Sequence, residues 1–403
     1  MSVLRTIGYQ RCVCMLEWIV DFDLPNDIQM LQDSLRRFVD RELIPIEMTC
    51  MAGHELRPHV RTELEKKARD LGLWLIDTPE EFGGQGLGLL AMAVIWMELS
   101  RTIALPPRGP GIFGPEFRSI VPGMNQDQRE RYLFPFLRGE KNTAFAQTEP
   151  DAGADPGSMR TTAMRDGNRY IVNGTKRFIS FAADADFFQV VVATDRQKGS
   201  RGGLSLLLID RDSPGLKVSQ PTTKMMGDVT YELVFEDVCV PIENRVGAEG
   251  QGMALAQSWI TKGRVFQASR GAGVAQRCLE LGAHYASQRI TFGAPLRDRQ
   301  AVQFMLADTH IALEVGRNYI YRTSARFDAG RAERDEGYIV KVFCTELGFQ
   351  AADRCMQIHG GMGLTNDLPI AKMWKDARSF TITEGAVEVM RSAIARQVFR
   401  KFG

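Results

Sequence analysis

The chain has 403 residues, 44% of them apolar and 25% charged, the make-up of a globular protein of roughly two to three domains at about 150 residues each. Fifty basic and forty-nine acidic residues nearly cancel, which speaks against a bulk nucleic-acid binder. No run approaches the eighteen or so apolar residues of a membrane span, so neither nucleic acid nor a membrane is expected as a partner.

Cys12, Cys14, Cys50, Cys239, Cys278, Cys344 and Cys355 are dispersed with no CxxC pair, the pattern of reduced thiols. The histidines show no HExxH or paired ligand spacing, so no metal is expected. Residues 1–16 hold Arg5 and Arg11 and no acid, a weak likeness to a transit peptide. The globular pattern starts only at Asp21-Phe22-Asp23-Leu24-Pro25. Residues 1–20 are therefore read as an extension, disordered or arising from a mis-assigned start. The expected location is cytoplasmic, with the mitochondrial matrix as the alternative if the extension is a transit peptide.

From 21 to 141 the period is helical. Ile28, Leu31, Leu35, Phe38, Val39 and Leu43 recur every three or four residues until Pro45, and amphipathic stretches follow at Arg61–Leu71, Leu89–Ser100 and Gln126–Leu137. From 142 to 250 the pattern is that of strands. Tyr170-Ile171-Val172 leads into Asn173-Gly174, a hairpin turn signal. Phe187–Ala193, Gly203–Ile209 and Glu232–Pro241 are short, apolar and bounded by Gly, Pro or Asp. No helical segments alternate with them, which predicts an antiparallel sheet domain and not βαβ units. From 251 to 403 helices return over about 252–288, 300–329, 335–359 and 385–401, the last opened by Glu384-Gly385. The fold class is thus α+β multidomain: an N-terminal helical domain, a middle antiparallel β domain and a C-terminal four-helix bundle.

Gly86-x-Gly88-x-x-Ala91 fits a loose dinucleotide fingerprint. It follows a loop, Pro79 to Gly84, where the fingerprint needs a strand, so it reads as a Gly-rich turn before a helix. Phe145-Ala146-Gln147-Thr148-Glu149-Pro150 lies where helix gives way to sheet, a favoured place for ligand sites. Arg289-Ile290-Thr291-Phe292-Gly293 closes a helix with an Arg able to make paired hydrogen bonds to a phosphate; taken alone it is equally a solvated helix end. Gln357-Ile358-His359-Gly360-Gly361 closes another, with glycines that let backbone approach a ligand or simply cap the helix.

Together and in this order these segments resemble the acyl-CoA dehydrogenase family of flavoproteins. The likeness covers about residues 21–403 and rests on PEEFGGQGLG (79–88), AQTEPDAGAD (146–155), NGTKRFIS (173–180), VFEDVCVP (234–241), RITFG (289–293), QIHGGMG (357–363) and ITEGAVEVMR (382–391). The resemblance implies FAD as cofactor. Phe145, Gln147 and Thr148 match a segment along the flavin ring, and Phe178 and Ser180 match a second one. Arg289, Thr291 and Phe292 match residues that reach the FAD of a neighbouring subunit, Gln300 matches a further cofactor-contacting glutamine, and Gln357, Gly360 and Gly361 match the stretch near the diphosphate and adenosine. A shared site implies a homo-oligomer, typically a dimer of dimers.

Glu384 matches the base that removes the α-proton of an acyl-CoA thioester while the flavin accepts the β-hydride. Its backbone N–H is one donor that polarises the thioester oxygen in the family, and Gly385 lets the backbone pass close to substrate. Arg264 matches a CoA-contacting residue, the other reading being a helix-surface Arg. Ala154 stands where a serine is common beside the pantetheine arm, and Thr383 where a tyrosine often precedes the base. One subgroup carries its base just before this Arg; here that position is Gly263, which leaves Glu384 without a rival. Glu388 is expected to face solvent or a salt bridge. The implied activity is dehydrogenation to the trans-2-enoyl-CoA with electrons passed to an electron-transferring flavoprotein. The alternative is a flavin-dependent oxidase or monooxygenase on the same fold.

Overall fold

In the computed structural model, which describes residues 23–53, 55–106, 111–116, 123–333 and 335–403, helix α1 (Asn26–Phe38) buries Leu35 and Phe38 and runs on through a π-helical turn, Val39–Leu43. The extension expected over residues 1–20 lies outside the described residues, as do Cys12 and Cys14. Strands β1 (Met51–Ala52) and β2 (Glu55–Leu56) form a small antiparallel ladder. Helix α2 (Pro58–Asp70) opens on a proline, whose missing N–H costs nothing at a first helical position.

Helix α3 (Leu89–Leu99) departs from expectation. It is not amphipathic: Ala91, Met92, Ala93, Val94, Ile95 and Met97 are all buried. A helix apolar on every side belongs inside the protein, and α3 packs against α1 on one side and the C-terminal helices on the other. Its single acid, Glu98, is buried and held by Arg36 at 2.8 Å and Arg101 at 3.2 Å. Its first N–H groups, of Leu89 and Leu90, donate to the Asp328 carboxylate at 2.7 and 2.9 Å. The Gly86-x-Gly88 loop thus presents its helix to a protein carboxylate, and no strand precedes it. Short helices α4 (Gln126–Gln128) and α5 (Phe134–Leu137) are joined by a π-turn into one run, started by a capping box between Asn125 and Gln128.

The sheet contains β3 (Thr143–Ala146), β4 (Thr162–Asp166), β5 (Arg169–Ile179), β6 (Phe187–Ala193), β7 (Leu204–Asp210), β8 (Leu216–Val218), β9 (Thr222–Thr223), β10 (Val229–Pro241) and β11 (Arg245–Val246). Its main path is β11-β7-β6-β4-β5-β10-β8. It is mostly antiparallel, with two additions: β3 runs parallel to β6, and β4 makes a parallel bridge to it. Asn173-Gly174 is not a turn. Strand β5 runs straight through it, opposite a bulge in β10 between Phe235 and Val238. Asn173 exchanges two 2.9 Å hydrogen bonds with Asp237 of that bulge. Gly174 is required because a Cβ there would come 2.6 Å from the Thr161 Cα. The actual hairpin turn is Gly167-Asn168, between Asp166 and Arg169.

The C-terminal part is built on α6 (Gly252–Gln288), α7 (Gln300–Asp328), α8 (Glu336–His359) and α10 (Val387–Phe402), close to the four expected segments. A fifth helix, α9 (Ile370–Phe380), absent from the expected segments, packs on α6 and α8. Between α6 and α7, strands β12 (Ile290–Thr291) and β13 (Ala294–Pro295) pair across a turn at Phe292-Gly293. Helices α6 and α8 touch backbone to backbone, since a Cβ on Gly348 would lie 2.7 Å from the Gly271 Cα. Gly348→Ala should cost about 1–3 kcal/mol, as overpacking does, read as a lowered midpoint in thermal or urea unfolding.

Candidate active site

Helix α9 ends at Phe380 and α10 begins at Val387. The turn between them places Glu384 at φ +58° and Gly385 at φ +95°. A non-glycine residue in the left-handed region costs of order 1–3 kcal/mol and persists only when its surroundings over-determine it. Here they do. Thr383 donates from both its N–H and its Oγ1 to the Ser379 carbonyl at 3.0 and 3.2 Å. The Val387 N–H donates to the Thr381 carbonyl at 3.1 Å. The Lys341 ammonium donates to the Gly385 carbonyl.

The carboxylate of Glu384 sits over α6 at a point with no side chain. A Cβ built on Gly263 would be 3.0 Å from Glu384 Oε2. A side chain at 263 would crowd the acid by a few tenths of an ångström, so the glycine is the seat of the Glu384 carboxylate. Next to it, Arg264 is not a surface arginine: it is 9% exposed, and its guanidinium lies 4.6 Å over the Tyr338 ring. Lys341, one helix across on α8, is fully buried. Burial pulls its pKa down to about 8, against the favourable charges of Glu384 and Glu388 and with the unfavourable one of Arg264. Glu388 is exposed, as expected.

One turn along the same face of α6, Phe266 and Arg270 begin the wall of an open cavity of about 1010 Å³. Trp96 and Met92 of α3 and Met373 and Phe380 of α9 complete it. At 1.5 Å rise per residue, Arg270 stands about 10 Å beyond Gly263. Its guanidinium lies 4.3 Å from the Phe380 ring and 5.3 Å from that of Phe266. The cavity is therefore a mixed slot, aromatic at Trp96, Phe266 and Phe380 and charged at Asp77, Glu116, Arg270 and Asp376, that begins one turn of α6 beyond Gly263.

The two flavin-matching segments come together. Phe145 lies in β3 and Phe178 near the end of β5, and the chain binds them through backbone: the Arg177 N–H donates to the Thr148 carbonyl at 2.7 Å, and Lys176 Nζ donates to the Gln147 carbonyl at 3.1 Å. Lys176 also pairs with Glu149 at 2.8 Å, both buried. Glu149 in turn accepts from the Arg160 and Thr161 N–H groups at 2.6 and 2.9 Å. Phe178 is at φ +60° and 52% exposed. Gln147 Oε1 and Ser180 Oγ are buried and, among the described residues, have no hydrogen-bond partner. Two orphaned polar atoms between an exposed aromatic face and a braced strand suit the polar edge of a flat heteroaromatic ring. Ala154 is exposed on the loop that follows.

A second group faces solvent. Arg289 and Gln300 are exposed, Phe292 wholly so at the tip of the β12–β13 hairpin. Arg299 ties that hairpin by donating to the Thr291 carbonyl at 2.6 Å. Gln357, Gly360 and Gly361 are exposed at the end of α8, where Tyr285 stacks on His359 at 4.3 Å. Among the described residues no group of His, Cys, Asp or Glu is arranged to hold a metal.

Lys176, Glu149 and Lys341 were missed from sequence, although their spacing marks them. Lys176 is in phase with the inward residues Tyr170 and Val172 of β5, and Lys341 falls on the buried stripe of Gly337, Cys344 and Gly348.

Three family models match the chain: the acyl-CoA dehydrogenase N-terminal domain over residues 25–140, the middle domain over 144–238 and the C-terminal domain over 250–399. The short-chain specific acyl-CoA dehydrogenase, mitochondrial, of Rattus norvegicus is 34% identical over 387 residues, covering 94% of this chain and 92% of its own. A chain in a structure of the electron transferring flavoprotein of Acidaminococcus fermentans superposes with a TM-score of 0.81 at 30% identity, over 94% of this chain and 100% of its own. PigA with FAD and proline superposes with a TM-score of 0.82 at 27% identity, over 94% and 99%.

Removing one member of a buried ion pair strands the other, at about 3–5 kcal/mol. Lys176→Met should therefore lower stability by that amount in urea unfolding and release the yellow chromophore, read as the ratio of absorbance near 450 nm to protein.

Proposed function

The chain belongs to the acyl-CoA dehydrogenase family, and from that premise we propose that it converts an acyl-CoA thioester to the trans-2-enoyl-CoA with Glu384 as the base. FAD is the cofactor, and when bound it supplies the acceptor for the β-hydride. The observation that carries the reading is the seat of Glu384: a carboxylate in a left-handed turn over the bare backbone of Gly263, one turn of α6 from a cavity that Phe266 begins to line.

The chain's own residues divide the work. The Glu384 carboxylate takes the α-proton. The Glu384 N–H, on the same pinned turn, is placed to donate to the thioester oxygen, an oxyanion-hole contact that counts most where charge develops. Arg264, buried beside the base, is oriented by Tyr338. The slot lined by Trp96, Phe266 and Phe380 takes the acyl group.

Electrons pass to an electron-transferring flavoprotein in this reading. Its support is the structural neighbour from a structure of that name. A homo-oligomer, a dimer of dimers, is supported by two exposed apolar features: the fully exposed Phe292 and the stripe of Phe304, Ile311 and Val315 along α7, exposed by 57, 63 and 57%. Apolar residues in such a row call for a covering partner, and a second copy also brings Phe292 and Arg289 to a neighbour's FAD.

Anaerobic titration with a panel of acyl-CoAs should bleach the flavin of the purified protein, and an electron-transferring flavoprotein should re-oxidise it faster than dioxygen. Bleaching by no thioester, with FAD bound, would favour the oxidase or monooxygenase reading on a substrate that is not a CoA ester. Glu384→Gln should keep FAD and lose about 10²–10⁴-fold or more in kcat. Gly263→Ala should shift the carboxylate by a few tenths of an ångström while sparing FAD, and kcat should fall by about 10-fold, short of the about 10²-fold that a full ångström costs.

A further inference from the structure

Lys341 is a fully buried lysine that the proposed mechanism does not use. It projects from α8 beneath the Glu384 turn and donates a hydrogen bond to the carbonyl of Gly385, the residue after the base. The charged groups that face it come from three elements: Arg264 from α6, Glu384 from the turn and Glu388 from α10. A buried ammonium is unfavourable unless its charge and donors are used. A methionine of the same length would fill this space with no charge to desolvate.

Resting on the reading of Glu384 as the base, we propose that Lys341 is a positioning residue for it, acting through the Gly385 carbonyl and through its charge. The geometry gives it two tasks. The turn is pinned on both flanks of the base. Ser379 holds Thr383 on one side and Lys341 holds Gly385 on the other. With both neighbours fixed, Glu384 keeps its left-handed φ of +58°, and its carboxylate and its N–H keep one orientation over Gly263. The second task is electrostatic. A cation close to a carboxylate favours the ionised form, which is the form that accepts a proton. No covalent step involves Lys341. The α-proton moves from substrate carbon to a Glu384 oxygen, and the lysine neither gains nor loses one.

The test uses the FAD-loaded Lys341→Met and Lys341→Gln enzymes beside the unmodified one. The substrate is the acyl-CoA that best bleaches the unmodified flavin. A second ligand is its 3-thia analogue, which can lose an acidified α-proton and cannot complete hydride transfer. Both variants are expected to retain FAD and a similar thermal midpoint. Their kcat should fall about 10–100-fold with little change in KM. The acid limb of kcat/KM should move to higher pH by about one unit or more, and less of the 3-thia ligand should be deprotonated at a given pH. A lysine with a merely structural part would not move that limb.

Unchanged kcat and an unmoved limb in either folded variant overturn the proposal. So does a loss of turnover fully accounted for by lost FAD or lost folded protein in both. Failure of the unmodified enzyme to deprotonate the 3-thia ligand is a different result: it removes Glu384 as the base, and the proposal with it.

Discussion

The contact on which the site depends is between a carboxylate and an absent side chain. Glu384 Oε2 would meet a Cβ on Gly263 at 3.0 Å, so the carboxylate is seated directly on the backbone of α6. Such a seat requires α6 to be held rigidly under the turn. That rigidity comes from the backbone contact of α6 with α8 at Gly271 and Gly348. Interiors packed this closely transmit small displacements instead of absorbing them. A change far from the chemistry, in the α6–α8 seam, would therefore reach the reacting atoms.

The same seam explains why the cavity lies where it does. Gly263, Phe266 and Arg270 follow one another on a single face of α6. The carboxylate occupies the first of these places, and Phe266 and Arg270 begin the cavity wall at the next two. Helix α3 forms the opposite wall, and it can do so because it is apolar all round. An amphipathic α3 would have presented its polar face either to the slot or to α1. Burial of Glu98 is what this arrangement requires in exchange, and Arg36 and Arg101 satisfy it.

Much of this was legible in the sequence. The helical period located α6, α7, α8 and α10 within a few residues, because each is long enough for the 3.6-residue pattern to repeat many times. β6 was legible end to end from its apolar run. Asn173-Gly174 misled because a dipeptide that is favourable in a hairpin turn is equally favourable opposite a bulge, and the partner Asp237 lies far along the chain. α3 misled because its apolar residues fill every position, so a stripe could be drawn through it at helical spacing. Glu384 was found by its motif, whereas Gly263 acquires meaning only in three dimensions, as the place where a side chain cannot be.

The buried lysines were hidden for a related reason. A lysine is ordinarily a surface residue, and nothing in its immediate neighbours says otherwise. Lys176 and Lys341 lie in different domains and yet do the same thing: each donates to a main-chain carbonyl, of Gln147 in one case and Gly385 in the other. Each carbonyl belongs to a segment that carries site residues and has no regular partner strand or helix at that point. Burial draws the pKa of each down to about 8, a measure of the opposition between desolvation and the contact made. A backbone that must be irregular to approach a ligand has unsatisfied carbonyls. A long side chain reaching through the core can bind one of them without imposing a secondary structure. In this protein the irregular segments that carry Gln147 and Glu384 are held in that one way.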